Sequence, residues 1–329
     1  MFGTVQRMVR RSSIILVAAW LAVVCGVGVA LASDGEAAAA SAGVAATGAP
    51  WWVWPLLLLA VCFLLGVVSV LAGVGGGVLF VPIVGGFFPF GLDFVRGAAL
   101  VMGVAGTLSA GPRLLRQGLA DFRLAAPLAL VASCSSMAGA MIGLVLPADV
   151  VNIALGVTIL AIVVILLLSR NPEYPEVPEA DALSQALRIT GIYHEAATGR
   201  DIPWKVHRTP VGLLLFVAVG MIAGMFGLGA GWASTPVLNL VMGVPLKVAV
   251  STSSFLISIT GTSAAWVYIN RGAVLPVLVV PSVIGVMLGA RLGVRLLARA
   301  KPSSIRSVVA GLLLFSGVRA LLKGLGVWN

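Results

Sequence analysis

Apolar runs of about 20 residues recur along most of the chain and set the strongest limit on its fold. A run of this length crosses a bilayer as a helix, in which every backbone polar group finds a partner inside the segment. Charged residues make up 10% of the chain, against about 25% in soluble domains, and the mean hydropathy is +1.11. The sequence therefore predicts an all-α polytopic membrane protein.

The apolar segments form two groups on either side of a long polar stretch. The predicted spans are 51–72, 78–90, 95–112, 124–146, 150–168, 210–226, 232–243, 248–268, 273–297 and 304–322. We divide the chain into an N-terminal segment, a first transmembrane repeat, a cytoplasmic connecting loop and a second transmembrane repeat, which cover residues 1–50, 51–169, 170–209 and 210–329.

The N-terminus predicts an extra hydrophobic helix ahead of the first repeat. Arg7, Arg10 and Arg11 precede an apolar run over residues 14–32, which ends in small residues. This pattern fits both a cleaved signal peptide and an uncleaved signal anchor, and the sequence leaves the two open. Either one places the flexible Ala/Gly/Ser-rich linker over residues 33–50 outside the cytoplasm.

The polar connector carries two local patterns. EADALSQALRI, residues 179–189, predicts a short amphipathic helix. GIYHEAATGRDIPWKV, residues 191–206, alternates around a TGRD turn and predicts a β-hairpin. We interpret the stretch as a connector between the halves, with a regulatory or partner-binding role as the alternative.

The net charge of +10 does not predict nucleic-acid binding. Basic residues cluster in the short loops, where they orient helices and face anionic lipid. The glycine run lacks the G-K-[ST] ending of a nucleotide-binding loop, and no nucleophile–base or metal constellation is visible. The three cysteines, Cys25, Cys62 and Cys134, lie far apart within apolar runs. We therefore predict that the protein is not an enzyme and that it binds no metal and no cofactor.

Two glycine-rich stretches recur at one constant spacing. LAGVGGGVLFVP, residues 71–82, aligns with FGLGAGWASTP, residues 226–236, when the chain is shifted by 154 residues. The shift pairs Gly73, Gly75, Gly77 and Pro82 with Gly227, Gly229, Gly231 and Pro236. Because this pattern repeats without a gap, the sequence predicts two homologous halves.

Loop charge predicts the relative orientation of the halves. If residues 51–90 enter the membrane, break at the glycines and return to the same side, the arginine-rich loop 113–123 and the connector 170–208 both lie in the cytoplasm. A simple crossing would place both outside, against the positive-inside rule. Each half then has one broken, re-entrant hairpin and three transmembrane helices, and this odd number inverts the second half. Arg271 and the short C-terminal tail disagree with this arrangement.

The glycine breaks are candidates for a binding site. A broken helix at membrane depth is tolerated where its backbone lines a cavity or is buried in protein, and glycine permits positive φ and close approach. The helix that restarts after a break has free N–H groups and attracts anions. Two inverted copies aim both ends at one midplane site, with candidate residues Gly75, Gly76, Gly77, Gly229, Ala230 and Gly231. The alternative is that the glycines only permit tight helix packing.

Hydroxyl and basic side chains add further candidates for anion binding. A run of hydroxyls begins one predicted membrane helix, with Ser251, Thr252, Ser253 and Ser254. They donate to an oxyanion, or they cap the helix and bond to its neighbours. Arg96, near Asp93, either attracts the anion or anchors at the interface. Arg291 lies within an apolar run and either has a functional role or extends its side chain to the cytoplasmic side.

These stretches resemble a known family. G-V-G-G-G-V-L-F-V-P and its second copy G-L-G-A-G-W-A-S-T-P resemble the two signature copies of the TauE/SafE family of sulfite and organosulfonate permeases. AVSTSSFLISITG, residues 249–261, and YINRGAV, residues 268–274, resemble it as well. The resemblance covers residues 60–168 and 210–322 and implies export or uptake of a small sulfur-containing anion. The chain departs from two-fold equivalence at RGAALVMG, which stands opposite STSSFLIS, and at Ala230 within the second triplet.

The resulting prediction is a secondary transporter, working as an exporter by alternating access in the bacterial cytoplasmic membrane. Its predicted partners are a small anion such as sulfite or a C2/C3 sulfonate and the lipid bilayer, with no nucleic acid, and a homo-oligomer is left open. The alternatives are a channel-like anion conductor and a membrane subunit of a sulfur-handling complex.

Overall fold

The computed structural model describes residues 53–72, 76–88, 90–116, 121–168, 175, 177, 179–195, 200–297 and 302–326. The predicted N-terminal helix and Gly75 lie outside these residues.

Helices make up most of the described chain. The first half contains α1 Val53–Ala72, α2 Gly76–Phe87, α3 Leu92–Arg116, α4 Phe122–Val145 and α5 Ala148–Leu168. The connector contains the short helix α6 Ala182–Ala186 and the strands β1 Thr190–Glu195 and β2 Arg200–Lys205. The second half contains α7 Thr209–Phe226, α8 Gly231–Pro236, α9 Leu246–Asn270, α10 Pro276–Leu297 and α11 Pro302–Gly324.

The second half repeats the order of helices of the first half. α3 begins at Leu92 and ends at Arg116, and α9 begins and ends 154 positions later, at Leu246 and Asn270. α2 and α8 also follow their preceding helices after the same glycine-rich stretch. The spacing found in the sequence thus extends to the boundaries of the helices.

Four described helices are long and apolar enough to cross a membrane, namely α4, α5, α7 and α9, and shorter apolar helices lie within α1, α2 and α10. Large apolar side chains on their outer faces are exposed, such as Leu130 at 69% and Leu214 at 70%. A surface of this kind is stable against lipid and not against water. The described chain is mostly helical, with four helices that could cross a membrane, as expected of the predicted polytopic membrane protein.

The observed helix boundaries differ from the predicted apolar spans at two places. The predicted span 95–112 is part of the longer α3, whose first turn contains Asp93, a favourable residue at a helix start. The predicted span 232–243 is α8 followed by a π-helical turn, Val237–Val241. The change to π-helical bonding follows directly after Pro236, whereas Pro82 at the equivalent position of the first half lies within α2.

Glycines bring two pairs of helices into close contact, and each pair takes one helix from each half. α1 packs on α10, where Gly66 faces the carbonyl of Val286 and Gly289 faces the backbone of Phe63. α4 packs on α7, where Gly143 faces the carbonyl of Met225. In both pairs the residue numbers rise together along the contact, so the paired helices are parallel.

Two pairs of equivalent helices from the two halves also contact each other, and these pairs run antiparallel. Along α5 and α11, Gly156 meets Leu321 while Ile153 meets Gly324. Along α3 and α9, Gly97 meets the segment just after α9, and Val104 meets Gly261. The numbers fall in one helix as they rise in the other, so both pairs are antiparallel.

Two large apolar clusters, and a small third one that contains Val219, Ala223, Ala230 and Ala233, form the interior of the described chain. The largest cluster includes parts of α1, α2, α3, α5, α9, α10 and α11. The second large cluster joins α4, α7 and α9 to the connector through Ile189, Trp204 and Val206. The connector is therefore packed against the helices in the described residues.

The connector folds as its two sequence patterns predict. α6 lies within EADALSQALRI, and β1 pairs with β2 as an antiparallel hairpin in which Gly191 lies opposite Trp204. Asp181 joins this unit to the second half, since its carboxylate accepts hydrogen bonds from the hydroxyl and the N–H of Thr209 at 2.8 and 3.3 Å. The start of α7 is fixed to the connector by these bonds.

Candidate functional site

The second glycine break has the backbone conformation that its sequence predicts. α7 ends at Phe226 and α8 begins at Gly231. Between them, Gly227 and Gly229 have φ of +69° and +71°, which L side chains rarely adopt. In the first half, α1 ends at Ala72 and α2 begins at Gly76, and residues 73–75 lie outside the described chain.

The start of α2 lies beside the break of the second half. A Cβ added at Gly77 would lie 2.9 Å from the carbonyl oxygen of Leu228 and 3.3 Å from that of Gly227. The start of α2 therefore contacts the backbone of the second break directly. Any side chain at Gly77 would separate the two segments.

Each broken pair of helices returns to the end at which it started. The Trp54 ring, at the start of α1, lies 5.9 Å from Phe88 and 6.0 Å from Phe90, which follow α2. In the second half, Gly212 near the start of α7 contacts the side chain of Met242, which follows the π-helical turn. α1 with α2, and α7 with α8 and the π-helical turn, thus form two hairpins, and the second break is at the far end of its hairpin.

Arg96 connects the two halves at the second break. Its side chain is 2% exposed, and its Nη1 donates to the carbonyls of Met225 at 2.8 Å and Gly143 at 3.2 Å. Its Nη2 donates to Gly143 at 3.1 Å and also forms an ion pair with Asp93. Both carbonyls belong to the last turns of helices, where the partial negative charge of the helix lies. Arg96 is therefore buried between helix ends and is not an interfacial anchor.

Tyr268 acts with Arg96 at the same helix end. Its hydroxyl lies 3.1 Å from the carbonyl oxygens of both Gly224 and Met225, and its ring centroid lies 5.8 Å from the Arg96 guanidinium. A Cβ at Gly227 would lie 2.5 Å from the backbone oxygen of Arg96. Sequence reasoning did not single out Tyr268, although it begins the YINRGAV stretch.

The hydroxyl run at the start of α9 is mostly buried. Ser251, Thr252 and Ser253 are 3%, 0% and 2% exposed. Thr252 Oγ1 accepts a hydrogen bond of 3.4 Å from the N–H of Asp121, ahead of α4, and Ser254 donates to the carbonyl of Val250 in its own helix. Thr252 therefore bonds to another segment, as one of the foreseen roles requires, whereas Ser254 bonds within its own helix and the N-cap of α9 is Pro245.

The hydroxyl run and the second break are neighbours along one face of α9. A Cβ added at Gly229 would lie 4.0 Å from Cγ2 of Ile257. Ser253 and Ser254 precede Ile257 by four and three residues, which places them on the same side of the helix. Ala230, next to Gly229, is 1% exposed and is the N-cap of α8.

Arg291 does not join this group. Its side chain is exposed on α10, the helix that packs on α1. An exposed position fits extension of the side chain along the helix surface, the second of the two roles considered for it.

The apolar helices, their exposed apolar faces and the broken hairpins define a multi-pass membrane protein. The family model of the sulfite exporter TauE/SafE matches residues 58–320, and the chain belongs to this family of membrane transporters. The chain is also similar to the "Probable membrane transporter protein YunE" of Bacillus subtilis (strain 168), with 22% identity over 278 residues, which are 82% of this chain and 98% of that protein. No solved structure matches the chain significantly. The resemblance read from the glycine motifs is thereby confirmed.

Proposed function

We propose that the protein is a secondary transporter that exports a small sulfur-containing anion, such as sulfite or a C2/C3 sulfonate, by alternating access. Membership in the sulfite exporter family supports the class of substrate. The observation that carries the proposal is the direct contact between the two glycine breaks at Gly77 and Leu228. Two broken membrane helices meeting inside a transporter are the arrangement that binds ions at the midplane.

We further propose that the halves, residues 51–169 and 210–329, are inverted repeats joined by a cytoplasmic loop over 170–209. The antiparallel contacts between α3 and α9, and between α5 and α11, support inversion. Equivalent helices run in the same direction when the symmetry axis is normal to the membrane, and in opposite directions when the axis lies in its plane.

Each broken pair is proposed as a re-entrant hairpin that enters and leaves on one side of the membrane. The contact of Trp54 with Phe88, and that of Gly212 with Met242, support this arrangement. The second hairpin starts at the connector, so it opens to the cytoplasm when the connector is cytoplasmic. The first hairpin then opens to the other side.

The proposed substrate site lies between the breaks and the hydroxyl run. Its members are Gly75, Gly76, Gly77, Gly229, Ala230, Gly231, Ser251, Thr252, Ser253 and Ser254. The contact of Gly229 with the face of α9 that holds Ser253 supports their common location. Backbone N–H groups and hydroxyls bind an oxyanion without a fixed charge, and such partial charges also let the ion leave.

Packing indicates which parts would move during transport. The closest helix pairs, α1 with α10 and α4 with α7, each take one helix from each half. Interlocked helices cannot separate half from half without opening these glycine contacts. We therefore propose that the moving units are built across the halves and rock about the contact between the breaks.

Flux through purified protein tests the proposal. Proteoliposomes containing the protein should take up labelled sulfite with saturable kinetics, and protein-free liposomes give the background. Flux that does not saturate would favour a channel-like conductor. Absence of flux from correctly inserted protein would contradict a self-sufficient transporter and would favour a subunit that needs a partner.

A further inference from the structure

A second polar space lies apart from the hydroxyl run. A cavity of about 420 Å³ is formed where α3 begins and where α4 and α9 end. Its wall includes Asp93, Arg96 and Arg271, so two cations and one carboxylate border the same space. Ser253 and Arg271 are separated by about 27 Å along α9, which separates this cavity from the hydroxyl run, while Arg96 joins its wall to the second break. The volume is in the range that holds small ligands.

The donors of Arg96 are only partly used. A guanidinium has five N–H donors. Nη1 donates to the carbonyls of Met225 and Gly143, and Nη2 donates to Gly143 and to the Asp93 carboxylate. Nε is buried and has no hydrogen-bond partner among the described residues. Nε and Nη2 share one edge of the guanidinium, which can bind two oxygens of one oxyanion side by side.

We propose that this cavity is an anion-binding site in which two oxygens of a sulfite or sulfonate displace Asp93 and bridge Nε and Nη2 of Arg96. Asp93 can leave, because its side chain is 50% exposed, whereas Arg96 is held by three hydrogen bonds to two carbonyls. The proposal rests on the proposed function for the class of ligand.

Arg271 and the start of α3 complete the site. Arg271 is exposed at the end of α9 and adds a second positive charge to the wall. The first N–H groups of α3 have no acceptor within the helix, and Leu92 and Asp93 at this end line the cavity. The cavity therefore combines a buried guanidinium edge, a mobile counter-charge and a helix N-terminus.

The site gives Asp93 a defined role. In the proposed topology the cavity faces away from the cytoplasm, where an exporter releases its anion. Asp93 competes with that anion for the same edge of Arg96, which weakens binding and favours release. Replacement of this carboxylate should therefore increase the affinity for the anion.

Protection of an introduced cysteine tests the site without measuring transport. Ala148 is exposed and lines the cavity, so Ala148→Cys, in a chain lacking its native cysteines, gives a labelling site for an impermeant maleimide. Ethanesulfonate is the probe, and chloride at equal ionic strength is the control. We expect ethanesulfonate to slow labelling at least threefold relative to chloride, because only a polyatomic oxyanion bridges the guanidinium edge.

Two variants and a matched control identify the groups involved. Asp93→Asn should lower by about fivefold the ethanesulfonate concentration that halves the rate of maleimide labelling. Arg271→Gln should raise that concentration by a similar factor. Arg123→Gln removes an exposed arginine at the start of α4 and should leave protection unchanged. Equal protection by chloride and by ethanesulfonate would overturn the proposal. So would unchanged affinity for ethanesulfonate in both Asp93→Asn and Arg271→Gln.

Transport measured in parallel separates the two proposals. Flux without protection would leave the transporter assignment standing and remove the outer site. Protection without flux would support the outer site and contradict the proposed transporter.

Discussion

At the scale of single residues, Gly77 tests the contact between the breaks. A methyl group in Gly77→Ala would lie 2.9 Å from the Leu228 carbonyl, a distance that forces one segment to move. Such overpacking costs about 1–3 kcal/mol, and here it separates the elements that are proposed to hold the anion. We expect Gly77→Ala to reduce sulfite flux at least tenfold, and Gly77→Val to abolish it, while the protein still inserts.

Gly103 provides the matched control for this change. It lies on α3, and a Cβ there would meet nothing within 4 Å. Gly103→Ala should therefore retain wild-type flux at equal expression, as measured by quantitative blotting of proteoliposomes. Normal flux in Gly77→Ala would leave the glycine with a packing role alone.

The hydroxyl of Thr252 is the second residue-scale test. Thr252→Val keeps the shape of the side chain and removes a buried hydroxyl that accepts from Asp121 and can donate to an oxyanion. Loss of one donor to the anion should cost about 1–2 kcal/mol, which is roughly 5- to 30-fold in affinity. Calorimetric titration with sulfite would measure the change.

Thr262 on the same helix is the control for Thr252. It is exposed, and its hydroxyl donates to the carbonyl of Ser258 in its own helix at 2.7 Å. Thr262→Val should bind sulfite as the wild type does. If Thr252→Val binds sulfite as well as Thr262→Val does, the hydroxyl of Thr252 is not a ligand of the anion.

At the scale of helices, the end of α7 depends on side chains from elsewhere in the chain. Tyr268→Phe removes the hydroxyl that lies 3.1 Å from the carbonyls of Gly224 and Met225. A buried hydrogen bond of this kind contributes about 1 kcal/mol, and its loss leaves carbonyls at the helix end less well satisfied. We expect a lower melting temperature in detergent than for Trp266→Phe, which alters an exposed ring two residues away on α9. Equal melting temperatures would show that Arg96 alone is sufficient to hold this end.

The elements show how far local sequence patterns reach. Local composition and spacing predict the helix spans and the short helix and hairpin of the connector. The conformational freedom of glycine predicts the positive φ at Gly227 and Gly229. The π-helical turn after Pro236 departs from the pattern, since the equivalent Pro82 in the first half lies within a continuous α-helix and gives no local signal for the change. The partners of Arg96 could not be predicted, since Gly143 and Met225 are 47 and 129 residues away and contribute backbone carbonyls that carry no sequence signature.

At the scale of the whole molecule, the exchange of helices between the halves links the two breaks. α1 lies on α10 and α4 lies on α7, so the motion proposed for transport would carry helices of both halves together. The repeat at 154 residues predicts two similar halves, but a duplicated sequence does not tell whether they stand apart or interlock. That distinction depends on side-chain shape at contacts such as Gly289 with Phe63.

The orientation of the whole molecule is open to a direct test. Arg271 follows α9 and Arg123 lies at the start of α4, and both are exposed. The residue before the start of α4 contacts Thr252 in α9, whereas Arg271 follows the end of that helix, about 29 Å from Thr252 along its axis. The proposed topology therefore places the two arginines on opposite sides of the membrane. In a chain whose three native cysteines are replaced by alanine, Arg271→Cys should react with an impermeant maleimide in intact cells. Arg123→Cys should react only after permeabilisation, because its loop is predicted to be cytoplasmic. The reverse pattern would invert the proposed topology, and labelling of both positions in intact cells would contradict the inverted-repeat arrangement itself.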